Sequence, residues 1–93
     1  MAIRRQVSCV NKRDHYNAHE RIQHIGGIFN GSRWKEMESV AIIKINARTH
    51  EYYVTKNGRE VIVIVATHNG RPYLKTADDG YEPNNLLSLP ECP

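Results

Sequence analysis

Residues 59–66 carry apolar side chains at both parities, and no other feature limits the fold so tightly. Val61, Val63 and Val65 fall on one side of an extended segment, with Ile62, Ile64 and Ala66 on the other. A strand with one solvated face alternates apolar and polar residues, so this one needs cover on both sides. It is bracketed by Asn57 and Gly58 before it and by Asn69 and Gly70 after it. Asn-Gly is the strongest short hairpin signal, because both residues tolerate positive φ. The pattern predicts a three-stranded meander at residues 50–55, 59–67 and 72–76. Pro72 stands at a strand start, where a missing amide donor does least harm.

Upstream, the β-branched and polar mixture at residues 3–10 predicts a first strand, with Val7 and Cys9 on one face. Residues 11–18 are polar and aperiodic and predict a loop. Alternation over residues 19–25 predicts a second strand, stopped by Gly26 and Gly27. Asn30, Gly31 and Ser32 then read as a helix start, with Ser32 as the N-cap. The helix that follows carries Trp34, Met37, Ala41 and Ile45 on one face, with Lys35, Glu38 and Ser39 on or near the opposite one. Ile43 lies off that stripe, so it is exposed or the helix ends close to it. Asn46 is the terminator. In the tail, Asp78, Asp79 and Gly80 read as a turn, and residues 84–89 as one helical turn before Pro90.

The predicted order is β-β-α-β-β-β with a docked C-terminal tail. This is an α+β fold: a mainly antiparallel sheet of about five strands with one amphipathic helix across a face. A length of 93 residues fits a single domain over residues 1–93. The helix covers one face of the doubly apolar strand. Leu86, Leu87 and Leu89 of the tail, or a second subunit, cover the other.

Composition removes several classes of protein. With 40% hydrophobic and 25% charged residues the chain is too apolar for intrinsic disorder, and no stretch approaches the roughly 20 apolar residues of a membrane span. The basic N-terminus lacks the apolar region and cleavage site of a signal peptide, which predicts a cytoplasmic protein with no membrane partner. Two cysteines are too few for a disulfide scaffold.

Three sets of residues are candidates for chemistry. Gly26, Gly27, Gly31 and Ser32 precede the predicted helix and would offer backbone amides to an anion, although the lysine of a phosphate-binding loop is missing. Cys9 and Cys92 with His19 or His24 are soft ligands for zinc if the two chain ends meet; otherwise both cysteines are small hydrophobes in a reducing compartment. His19 and His24 are five residues apart, not at the spacing that puts two histidines on one helical face. Arg4, Arg5, Lys12, Arg13 and Arg21 are a scattered basic set within a net charge of +3, and would meet nucleic-acid phosphates. The element order is that of double-stranded-RNA-binding domains, yet residues 82–87 carry no lysine or arginine where those domains need them. No nucleophile–base arrangement can be assembled, and no cofactor is predicted.

Several separate blocks, in order along nearly the whole chain, resemble one bacterial family of small proteins, the domain of unknown function 3892. They are residues 7–12 and 19–27, Trp34, residues 72–76, Asp79 and residues 85–92. The resemblance implies a stand-alone domain in which Cys9, Gly26, Gly27 and residues 85–92 have structural or site roles. It implies no activity. The functional expectation is a non-enzymatic binding or interaction module that self-associates through the sheet or meets a protein partner there; the alternative is nucleic-acid binding through the scattered basic residues.

Overall fold

A computed structural model describes residues 2–13, 20–78 and 84–93. Their elements are β1 (Ile3–Gln6), β2 (Cys9–Lys12), β3 (Ile22–Phe29), β4 (Ser32–Met37), α1 (Glu38–Asn46), β5 (His50–Lys56), β6 (Arg59–His68), β7 (Arg71–Thr76) and α2 (Asn84–Leu87). The class is α+β, but the expected single sheet is two. One has the order β1-β5-β6-β7, with β1 parallel to β5 and the remaining pairs antiparallel; the other is the antiparallel β2-β3-β4.

The expected strand over residues 3–10 is divided between those sheets. The Val7 amide donates to the Tyr53 carbonyl at 2.7 Å, and the next amide, of Ser8, donates to the Gly26 carbonyl at 2.9 Å. Val7, at 1% exposure, anchors the crossing in the core. No glycine or proline marks the break, so strand propensity reads straight through it. Asn11 and Lys12, expected in a loop, continue β2.

Asn30 and Gly31 do not start a helix. Their φ values of 51° and 80° repeat those of Asn57 and Gly58 (52° and 78°) and of Asn69 and Gly70 (51° and 78°). All three pairs occupy two-residue hairpin turns, whose positive φ matches the twist of the flanking strands. Ser32 therefore opens β4, and Trp34 lies in a strand. The helix begins only at Glu38, after Met37, which makes no side-chain cap, and ends at Asn46 as expected.

Of the predicted helical stripe, Ala41 lies in the core and Ile45 packs against it, joined by Ile42. These meet Val61 and Val63 of β6, Tyr52 and Val54 of β5, Leu74 of β7, and Val10, Ile22 and Ile25 from the other sheet's side. The two sheets and α1 thus enclose one core. The tail enters it too: Leu86 is fully buried, with Leu87 and Leu89 packed against the same cluster. The leucines therefore do not seal the second face of β6. Ile62, Ile64 and Ala66 on that face are half-buried and outside the core.

Candidate functional site

The structure separates the predicted anion-binding residues. Gly26 and Gly27 sit in mid-strand, and Gly31 and Ser32 lie at the far hairpin, with no helix start beside them. The two central glycines serve close approach. A Cβ on Gly26 would stand 2.7 Å from the Trp34 carbonyl oxygen and 2.9 Å from Cys92 Sγ; one on Gly27 would stand 2.3 Å from the Gln6 carbonyl oxygen. Backbone and sulfur occupy the space that side chains would fill.

Cys9 and Cys92 are bonded to each other. The two chain ends do meet, and as a disulfide rather than as zinc thiolates or reduced hydrophobes, because the tail runs alongside β2: Val10 donates its amide to the Pro90 carbonyl at 2.9 Å, and Cys92 donates back to the Val10 carbonyl at 3.3 Å. Asn11 Nδ2 donates to Glu91, and Lys12 Nζ to the Leu87 carbonyl. His24 is two residues from Gly26 on the same sheet face, and its buried Nδ1 has no hydrogen-bond partner. His19 lies outside the described residues. Among the described residues no three His, Cys, Asp or Glu side chains converge as a metal site would require.

The basic residues do not share a face. Arg4 is held by Glu51 at 2.5 Å and Glu60 at 2.9 Å, above the Tyr53 ring. Arg5 points to the other side of the sheet, with its guanidinium 5.0 Å from the Phe29 ring and 5.3 Å from Trp34. Lys12 is bonded to the tail, Arg13 donates to the Ile22 carbonyl, and Arg21 is half-buried.

Sequence reasoning missed a titratable cluster where β4, β5 and α1 meet. Glu36 accepts from the Tyr52 hydroxyl at 2.5 Å and from Lys44. Tyr52 stands between the Trp34 ring at 5.7 Å and the His50 ring at 6.1 Å. Burial would push the Glu36 carboxyl up, but the hydrogen bonds from Lys44 and Tyr52 outweigh it and hold the group below the usual glutamate value. Burial, then Glu36, raises Tyr52. Burial and the nearby Lys44 and Arg5 charges lower His50. At neutral pH the carboxylate is ionised and already engaged, and the phenol keeps its proton. The cluster joins three elements, and its carboxylate is already taken up by Lys44 and Tyr52. No period or motif announces it, because its members are spread over residues 34 to 52 in three different elements.

A second buried carboxyl behaves oppositely. Glu38 accepts from the Leu74 amide at 3.3 Å beside Arg71 at 3.5 Å, yet burial outweighs both and raises it. These signs predict a pH dependence. Stability from Glu36 is present above the ordinary glutamate value and is lost as pH falls through its lowered folded value. Stability from Glu38 is present below the ordinary value and is lost as pH rises through its raised one. Melts between about pH 3 and pH 7 should therefore show Glu36→Gln losing the acid-side decline and costing about 2 kcal/mol at neutrality, while Glu38→Gln flattens the upper side.

The surface feature that most departs from a solvated fold is α1. Its inward side is core, yet its outward side bears Ile43 at 67% exposure and Val40 at 37%, with Met37 at its start at 53%. A groove of about 340 Å³, lined by Ile42, Ile43 and Pro72, runs along one flank. On the other, where β5 parts from β6, a cleft of about 400 Å³ is lined by Ile45, Ile62 and Ile64.

Two sheets around one core, a tail cross-linked to the N-terminal strands and an apolar-crested helix define a small α+β domain. The chain belongs to the family described as a protein of unknown function (DUF3892), whose model matches residues 6–90. No curated protein and no solved structure matches it. Among the described residues no helix is long and apolar enough to cross a membrane.

Proposed function

We propose that this chain is a single-domain, non-enzymatic interaction module that pairs with a second copy of itself through α1. The outward exposure of Ile43 carries this reading. Met37, Val40 and Ile43 stand exposed together, and neighbouring exposed apolar side chains mark an interaction surface. The outward positions Ser39, Val40, Ile43 and Asn46 are uncharged, so two copies related by a twofold axis bring no like charges together at its centre. The flanking groove and cleft give the opposing side chains somewhere to go. The surface moves from the sheet, where sequence alone puts it, to the helix and the half-buried Ile62 and Ile64 beside it.

Light scattering after gel filtration tests this at micromolar concentrations. The native chain should elute as a dimer and Ile43→Lys as a folded monomer, because the site is exposed within a single chain. A native monomer, or a variant that remains dimeric, would remove the proposal. The nucleic-acid reading has less support, since Arg4, Lys12 and Arg13 are engaged within the chain. Any binding to mixed DNA and RNA that did not weaken steeply with salt would not be phosphate-driven. The reading keeps the protein in the cytoplasm, where the thiol pool reduces accessible disulfides.

A further inference from the structure

We infer that the Cys9–Cys92 disulfide is a thiol-exchange site for small anionic thiols, which Arg33 and Lys35 draw to it. The cross-strand register puts Cys9 opposite Gly26 and Gly26 opposite Lys35, all on the outward face of the β2-β3-β4 sheet. Because Gly26 has no side chain, the disulfide lies in the slot between Cys9 and the cation-bearing strand. Both cysteines are half-buried, and both line a surface cavity beside Lys35.

Two shallow cavities flank the bond. One, of about 130 Å³, is lined by both cysteines with Arg33, Trp34 and Lys35. The other, of about 210 Å³, is lined by Cys9, Ile28, Arg33 and Glu91. Arg33 and Lys35 are exposed, and neither has an ion-pair partner among the described residues. Glu91, the acid on the rim, is hydrogen-bonded to Asn11. A reducible bond thus lies beside two uncommitted cations, with a shallow surface cavity on either side.

The chemistry balances with two equivalents of a small thiol. A thiolate attacks Cys92 Sγ; the S–S bond breaks, and its electron pair leaves on Cys9 as a thiolate in the row of Lys35. The product is a mixed disulfide at Cys92. A second thiolate attacks the small-molecule sulfur of that mixed disulfide, releasing the Cys92 thiolate and the oxidised dimer of the small thiol. The protein gains two electrons and the two small thiols lose them. Nearby cations speed such exchange by raising the local concentration of an anionic attacker and by stabilising the leaving thiolate.

The test compares glutathione, whose thiolate form is anionic overall, with cysteamine, whose ammonium cancels its thiolate. The oxidised full chain is treated with each at equal thiolate concentration and low salt, then quenched with acid and weighed for adducts. Glutathione should react about tenfold faster than cysteamine. That preference should collapse toward unity in about 0.5 M salt, and also in the Arg33→Gln, Lys35→Gln double variant. The salt arm uses the native protein, so the result stands even if the variant folds poorly. Equal rates at low salt, or a glutathione preference that salt leaves intact, would overturn the inference.

Discussion

Gly27→Ala is expected to lower the melting temperature by roughly 12–24 °C, the equivalent of about 3 kcal/mol of overpacking in a domain of this size. The added Cβ would lie 2.3 Å from the Gln6 carbonyl oxygen, and it meets Trp34 Nε1 at 3.2 Å on the other side. The offending atom is backbone, at the point where the chain crosses between sheets. Gln6 is followed by Val7, bonded to Tyr53, and by Ser8, bonded to Gly26, so it cannot retreat without opening both sheets. Gly31→Ala is the control: nothing lies within 4 Å of its Cβ, and only the φ of +80° is unfavourable, a cost of about 1–2 kcal/mol. Thermal melts of the two variants separate close packing from backbone conformation. If Gly27→Ala melted above Gly31→Ala, β1 would not lie against β3 as described.

The same glycines show where the sequence is legible. The hairpins at Asn57 and at Asn69 can be read directly, because a two-residue turn is a local event whose φ requirement is written in its own side chains. The third, at Asn30, carries the same signal, but the following Ser32 also suits a helix N-cap. Local chemistry permits both; pairing of β4 with β3 decides for the strand. Gly26 and Gly27 read as a strand stop because a glycine without partners weakens a strand. Their partners, Gln6 and the disulfide, are distant in the chain, so only the folded contact reveals that bare backbone is required there. The helix stripe fails for a related reason: Trp34 and Met37 match a helical period by coincidence, and the true helix starts where β4 ends. The doubly apolar β6 reads as a strand covered on both faces, but only the Val61 and Val63 face meets the core. It does not say that the second sheet, α1 and the tail all gather on one side of it.

Replacing both cysteines, Cys9→Ser with Cys92→Ser, should cost about 4.5 kcal/mol, the loop-closure entropy of a cross-link spanning 83 residues. The melting temperature should fall by roughly 18–36 °C, and the urea m value should rise as the unfolded chain expands. The native tail has other restraints: the buried Leu86, the paired amides at Val10, and the bonds from Asn11 and Lys12. If these hold it in place, the cross-link acts mainly on the unfolded chain. Leu86→Val, a loss of about 1 kcal/mol by itself, then distinguishes the two modes of action. In the cysteine-free background it should cost the same, because a cross-link that only restricts the unfolded ensemble does not couple to packing. A much smaller cost there would mean that the bond pins Leu86 in the core. Exchange at Cys92 would then loosen the tail itself, and redox state would control the packing of the domain.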